Sequence, residues 1–396
     1  MFRTFFALLL LPAAALAQVT VSDEIVSDPM RPHLASPAFA VPALSMARDR
    51  AGVAIAWSMP GGANLIERVY VARLDDAGQL AGAVREIPAT LPQTDALAPS
   101  IAADPSGLGF TVAWLEGPEV VYCRLDAALT PSAPVNLSPT LVAPLVRSGP
   151  NSKSVWIAAG LTLYGIAPDG AREVFGINAA SDMTVATGFP QLIGSHRSKT
   201  PSGCTCPVGG GPFHGICPGN CLVYAQEAID YVALFTAAQS RVFASVTDAQ
   251  PAIASDPNNV TVAWLEGEQA RGGSAKALRV PLSALDSFSS ARALTLGSFA
   301  PDAGATRPAV ASDGARALVV WRTLTSPGNH DIAGAVVDGD GTITPLTIAA
   351  SASDERDPSV IALGHGAFLV AYDKITGSER RLAGRFVTFG RHRAVR

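Results

Sequence analysis

The sequence is poor in charge. Asp, Glu, Lys and Arg make up 16% of its 396 residues, and the net charge is −4. That balance excludes a nucleic-acid surface, which needs a concentrated field of Lys and Arg. The one basic run, "GRHRAVR" at 390–396, reads as a solvated tail. Beyond the N-terminus no apolar run is long enough to predict a membrane helix. Catalytic signatures are missing as well: there is no G-x-S-x-G elbow, no H-E-x-x-H helix and no Gly-rich phosphate loop after a strand. The histidines (His33, His196, His214, His330, His365 and His392) are scattered, and His330 and His365 fall in predicted turns or loops. Cysteine is scarce except in one place. Four of the five lie within Cys204–Cys221, inside "SGCTCPVGGGPFHGICPGNCLVYA".

What is present begins with an address. Residues 1–17 carry one basic residue (Arg3), an apolar core and an Ala15-Leu16-Ala17 site. This pattern predicts a secretory signal peptide cleaved before Gln18. The expected protein is exported, periplasmic or extracellular, and not a lipoprotein, because no cysteine follows the cleavage site. Next come 36 Gly and 30 Pro. Both residues break helices and punctuate turns, so they predict many short strands.

Those strands repeat. "VPALSMARDRAGVAIAW" from Val41, "APSIAADPSGLGFTVAW" from Ala98, "QPAIASDPNNVTVAW" from Gln250, "RPAVASDGARALVVW" from Arg307 and "DPSVIALGHGAFLVAY" from Asp357 share one plan. Each has a proline, a short apolar strand, a polar turn and a second strand ending in an aromatic. Weaker copies start at Pro144 and Pro190, the latter with "CLVYA" as a displaced second strand. The seven prolines, with Pro42, Pro99, Pro251, Pro308 and Pro358, then fall 45 to 61 residues apart. A third strand and a hairpin with Asp-Gly or Ala-Gly turns complete each unit, as in "YVARLDDAGQL", "LYGIAPDGARE" and "AGAVVDGDGTI". Glycine supplies the positive φ such turns require. Four strands in roughly 50 residues is the size of a propeller blade.

The chain thus resembles bacterial secreted β-propellers. The resemblance implies an all-β, seven-bladed propeller over 18–390, with the strand near Val19–Val26 closing the ring beside Leu382–Phe389. A basic tail follows at 391–396. No Asp-box, kelch double glycine or Trp-Asp signature ties it to an enzyme family.

Repetition also sorts residues. Glu116 and Glu266 recur in Trp-Leu-Glu-Gly, so they read as blade residues and not as a unique general acid. Trp57, Trp114, Trp156, Trp264, Trp321 and Tyr372 share one position and read as packing between blades. Asp104, Asp256 and Asp313 read as Asx-turns. Asp95, Asp248, Asp302 and Asp354 precede the blade-opening prolines. They read as turn caps, with Ca²⁺ ligation as the rival. "DGDG" at 338–341 reads as a hairpin.

The cysteines remain. Cys204, Cys206, Cys217 and Cys221 follow C-x-C-x10-C-x3-C, with His214 inside. In an oxidising compartment they read as two disulfides of unassigned pairing, stapling an insertion at about 198–221 between the first and second strands of blade four. The rival is a zinc site on the same four residues with His214, although only Cys217 and Cys221 have zinc-like spacing. Cys123, in "VVYCRLD", reads as a buried free thiol. No cofactor is predicted; Ca²⁺ and Zn²⁺ are the alternatives. The expectation for function is a monomeric binding or interaction scaffold taking a protein or glycan ligand at a propeller face. The alternatives are a hydrolase or lyase working in the channel mouth and a metal-binding protein built on the cysteines. Catalytic residues are not identifiable from the sequence.

Overall fold

A computed structural model describes residues 19–27, 44–61, 66–140, 142–149, 153–177, 182–185, 190–198, 226–233, 241–246, 251–268, 272–284, 292–301 and 307–389. Over that range the chain is all-β. No helix among the described residues is long and apolar enough to cross a membrane. Cys204, Cys206, Cys217, Cys221 and His214 lie outside the described residues, as do the proposed signal peptide, His33, Pro42, Asp248, Asp302, His392 and the tail.

The strands are β1 (Val19–Val21) and β2 (Ile25–Val26), then successive groups. The first group is β3 (Leu44–Asp49), β4 (Gly52–Gly61), β5 (Ile66–Leu74) and β6 (Leu80–Glu86). The second is β7 (Ala96–Ala103), β8 (Phe110–Glu116), β9 (Glu119–Leu125) and β10 (Val135–Pro139). The third is β11 (Leu145–Arg147), β12 (Val155–Ala159), β13 (Thr162–Ile166) and β14 (Arg172–Gly176). The fourth is β15 (Asp182–Val185), β16 (Pro190–Ser198), β17 (Gln226–Ala233) and β18 (Arg241–Val246). The fifth is β19 (Ala252–Ser255), β20 (Asn259–Glu268), β21 (Gly272–Pro281) and β22 (Leu294–Phe299). The sixth is β23 (Ala309–Ser312), β24 (Arg316–Ser326), β25 (Asn329–Asp338) and β26 (Ile343–Ala349). The last is β27 (Asp354–Gly364), β28 (Ala367–Thr376) and β29 (Glu379–Phe389).

Each of the first six groups is one antiparallel sheet in chain order. The last three strands join β1, which pairs with β29 in the register Val19↔Phe389 and Val21↔Val387. β2 pairs further along the same strand, Ile25↔Gly384 and Val26↔Ala383. The expected partnership of the two chain ends is therefore present.

Contacts between sheets run through their first strands: β3 with β7, β7 with β11, β11 with β15, β15 with β19, β19 with β23, β23 with β27, and β27 with β3. Sequential four-stranded sheets with their first strands turned to a common centre make a β-propeller. Middle strands are covered on both faces by neighbouring sheets, so they read as continuous apolar runs and not as alternation. All seven residues of β8, "FTVAWLE", are buried. Outermost strands face solvent, as in β6 and β14.

The aromatics are buried between sheets, but Trp156 does not share the position of the others. It pairs in register with Arg147 and clusters with Met183 and Val185 of the following sheet, while Ala159 takes the equivalent place. Trp57, Trp114, Trp156, Trp264 and Trp321 are at most 3% exposed, and Tyr372 is fully buried. Trp114 shares a buried apolar cluster with Ala54, Ala56 and Val71 of the first sheet, Trp321 with Ala263 and Ala277 of the fifth, and Trp57 with Ala371 and Leu382 of the last. Truncating such a ring to Ala costs about 3–5 kcal/mol.

Polar bonds stitch the first strands together. Ser45 Oγ accepts the Ile101 amide at 3.3 Å and Ser100 Oγ accepts the Val146 amide at 2.9 Å. These serines occupy one register position, opposite the residue before each Trp (Ser45↔Ala56, Ser100↔Ala113). At the other end of its strand, Asp49 takes Arg73 in a two-pronged ion pair (2.8 and 3.0 Å) and reaches the Gly109 amide of the next sheet at 3.2 Å. Only glycine fits there, because a Cβ on Gly109 would stand 2.2 Å from the Leu125 carbonyl oxygen.

The fourth sheet corrects the sequence reading. Pro190 opens the second strand, not the first, and pairs with Val185. The first strand is the four-residue β15, which has no opening proline. The cysteine-bearing segment therefore joins the second and third strands, at the Ser198↔Gln226 end of the β16–β17 hairpin. It was misplaced because this sheet lacks the terminal aromatic that marks the second strand elsewhere. Antiparallel alternation puts that connection at the end where first strands begin, not where they turn back.

Candidate functional site

The first strands enclose a central channel of about 760 Å³. Ala47, Ala98, Ala102, Ala254, Ala311 and Ala362 are part of its wall, and small side chains are what keep it open. Pro99, Pro144, Pro308 and Pro358 line it too. A first strand is a sheet edge, so a missing N–H breaks no ladder bond. Pro99 and Pro358 sit in β-bulges, behind Ala98 and Asp357 at φ +55° and +50°.

Among the described residues the wall carries charge at Arg48, Arg147, Asp182, Arg307 and Asp357. Arg48 lies near the far mouth and donates to the Leu363 carbonyl. The others gather where first strands begin. Asp182 is 4% exposed and sits at the centre of that group. Its Oδ1 accepts Arg147 Nη2 at 2.9 Å and the Met183 amide at 2.9 Å, and it lies 3.5 Å from Arg307 Nη1. Its Oδ2 accepts the Ile253 amide at 3.0 Å. One carboxylate thus joins four consecutive sheets, the third through the sixth. Burial and the neighbouring Arg147 guanidinium pull the Arg307 pKa down, against the opposing pull of Asp182.

Asp357 occupies in the last sheet the place Arg307 occupies in the sixth, immediately before the proline. Burial and the nearby Asp373 carboxylate push its pKa up to about 6, against the guanidiniums of Arg322, Arg380 and Arg356. Arg380, 1% exposed, donates to Asp373 Oδ2 and to the Ser58 carbonyl, both at 2.7 Å, and so ties the last sheet to the first.

Sequence reasoning passed over Arg147, Asp182, Arg307 and Asp357. A signal for two of them existed: Arg307 and Asp357 stand before the opening proline, where other units carry Val41, Ala98, Ala143 or Gln250. Charges that break a repeat mark what the scaffold does not require.

The residues singled out from sequence fall elsewhere. Glu116 is fully buried and accepts Trp114 Nε1–H at 3.0 Å, the Thr90 amide at 3.1 Å and the Leu91 amide, anchoring the preceding loop. Glu266 pairs with Lys276 at 2.5 Å. Asp104, Asp256 and Asp313 each accept the amide two residues on, at 2.8 to 2.9 Å, as Asx-turns do. Asp338–Gly341 closes the β25–β26 hairpin. Asp95 caps the Glu67 amide at 2.9 Å. His330 is a correction: it lies in β25, 7% exposed, with Nδ1 2.7 Å from Asp354 Oδ1. A strand that begins right after a Gly-Asn turn leaves little apolar signal before the histidine. Burial raises the Asp354 pKa, but His330 and Arg356 outweigh it and leave the group below the carboxylate range. His365 sits in the β27–β28 turn, and His196 lies in β16. Cys123 is a buried free thiol, its pKa pushed up to about 12 by burial. Among the described residues no group of three or more His, Cys, Asp or Glu is placed to hold a metal ion.

The fold and its channel define a β-propeller protein. Neither a family model nor a curated protein matches the sequence. Solved structures are similar in fold. A protein of unknown function from Dyadobacter fermentans shares 12% identity at a TM-score of 0.55, over 94% of this chain and 99% of that one. The Saccharomyces cerevisiae core factor shares 8% identity at 0.50, over 96% of this chain and 63% of that one. At such identities the likeness is one of fold alone.

Proposed function

We propose that the chain is an exported, closed, seven-bladed propeller that serves as a binding scaffold and takes its ligand in the channel mouth where first strands begin. The observation that carries this is the channel itself: about 760 Å³, with alanines in its wall and, of the charged wall residues described, all but Arg48 gathered at one mouth. That volume lies within the roughly 300–1,000 Å³ of small-molecule sites. The cycle of first-strand contacts and the β1–β29 pairing support closure into seven blades. In this reading the cysteines form two disulfides that stiffen the β16–β17 connection on the same face.

A panel of glycans and short peptides, screened by thermal shift on wild type and Ala254→Trp, tests the channel. A ligand that raises the melting temperature of the wild type alone supports the reading, and one that raises both places binding elsewhere. N-terminal sequencing of exported protein tests the address, with Gln18 expected first. A hydrolase or lyase is the second reading, favoured by one observation: Asp357 holds a channel-wall carboxyl with a pKa near 6. Such an enzyme would lose turnover in Asp357→Asn while still binding substrate.

A further inference from the structure

We propose that the channel wall binds a neutral sugar through an arc formed by Asp357, Ser359, Ser45 and Ser100. The inference rests on the channel being the binding face and names what it takes. The arc crosses three successive sheets, the last, the first and the second, whose first strands β27, β3 and β7 touch in that order. All four residues line the channel. The serines share one register position, each opposite the residue before the aromatic: Ser359↔Ala371, Ser45↔Ala56 and Ser100↔Ala113. There the fifth and sixth sheets carry alanine, in Ala252↔Ala263 and Ala309↔Val320, so the sheets do not demand a hydroxyl. Asp357 stands two residues earlier, in the bulge before Pro358. Ala98 holds that place in the second sheet with nearly the same left-handed φ, so the bulge does not demand a carboxylate either.

Hydrogen bonding decides the ligand. Among the described residues the side chains of Asp357 and Ser359 meet no hydrogen-bond or ion-pair partner, although both are half-buried. Ser45 and Ser100 use their oxygens to accept the Ile101 and Val146 amides, and each keeps an O–H to donate. The arc thus offers two acceptor oxygens at Asp357, donors at Ser45 and Ser100, and at Ser359 a hydroxyl that does either. Sugar hydroxyls both donate and accept, so they use every member. An ammonium only donates, and it would face the guanidiniums of Arg322, Arg380 and Arg356 that already act on Asp357. A ligand carboxylate would meet the carboxylate of Asp357. Ionised, Asp357 accepts through both oxygens; protonated, it gives up part of that capacity. Burial and Asp373 raise its pKa to about 6 against those three guanidiniums, so sugar binding should weaken as pH falls through that value.

Isothermal titration with glucose, galactose, mannose and xylose tests this, with glucosamine and glucuronate as the charged counterparts of glucose. At least one neutral sugar should bind wild type at pH 7.5, and more weakly at pH 5. Asp357→Ala should lower that affinity roughly tenfold or more, the loss expected for hydrogen bonds to a charged group. Ser359→Ala should lower it a few-fold. Both variants should melt within a few degrees of wild type, since neither side chain holds a neighbour and Ala98 already fits the bulge. Failure of all four neutral sugars to bind, tighter binding of glucosamine or glucuronate than of glucose, or an affinity that survives in Asp357→Ala would overturn the site. Ala254→Trp, in the fifth sheet, separates the two levels. Binding lost in that variant but intact in Asp357→Ala leaves the channel reading standing without the arc; binding unchanged in both removes the channel reading itself.

Discussion

Replacing Asp182 by Ala should be among the most damaging single changes to the ring. The carboxylate is buried beneath Arg147 and Arg307 and accepts the Met183 and Ile253 amides. Removing one partner of a buried ion pair typically costs about 3–5 kcal/mol, because the other charge stays behind without compensation. Here two guanidiniums lose a carboxylate and two amides lose acceptors, so the upper half of that range applies. Measured against a total stability of roughly 5–15 kcal/mol, the loss is large. At about 2 °C per kcal/mol for a chain of this size, the midpoint should drop by ~8–10 °C. Thermal unfolding followed by circular dichroism gives the number, with Asp104→Ala, a half-buried turn cap, as the control expected to lose only a degree or two. The sharper readout is the double variant Asp182→Ala with Arg307→Met. With one guanidinium fewer left without that carboxylate, it should melt above Asp182→Ala alone, a coupling that a mere cavity would not give. Equal midpoints for Asp182→Ala and Asp104→Ala would refute the four-sheet clasp.

Asp357→Asn should stabilise the protein near pH 7.5. The folded pKa of about 6 lies above that of the unfolded chain, so wild type loses stability as pH rises through this window. The Asn variant does not, and its advantage should shrink to nothing near pH 4; an advantage independent of pH would show that ionisation is not its cause. Asn also tolerates the left-handed φ of +50°. Glu24→Gln should loosen the N-terminal strands by losing the Lys374 ion pair and weakening the Tyr372 bond at 2.6 Å. The expected readout is faster clipping of residues 18–27 by protease, with the cost at pH 7 fading in acid, because the Lys374 and Tyr372 bonds outweigh burial and hold the Glu24 pKa below its usual range. Non-reduced mass spectrometry should find the Cys204–Cys221 peptide four hydrogens lighter than its reduced form, with Cys123 alone alkylated after unfolding. One zinc ion per chain instead would reverse the proposed chemistry of that segment.

How much of this was legible depended on repetition. The Trp position, the Asx-turns at Asp104, Asp256 and Asp313 and the Asp338 hairpin recur from sheet to sheet, so local chemistry declared them. The pairing of β1 with β29 followed from counting strands, since one end lacked a strand and the other had one to spare. The fourth sheet was misread because its first strand has four residues and no proline, and nothing local distinguishes Pro190 from an opening proline. Arg147, Asp182 and Arg307 lie 35 and 125 residues apart in sequence and meet only when the sheets stand around a common channel. No periodicity carries such a contact. His330 escaped for a related reason: its partner Asp354 belongs to the neighbouring sheet.

Ring closure is tested most directly by a cross-link between the chain ends. Thr20 and Thr388 face each other in the β1–β29 register and are both exposed. Protein carrying Thr20→Cys and Thr388→Cys should, on mild oxidation, yield a disulfide between those two residues within one chain, identified by peptide mass spectrometry. The linked form should melt above its reduced state. A chain that links only to another chain, or does not link at all, would contradict a ring closed by its own two ends.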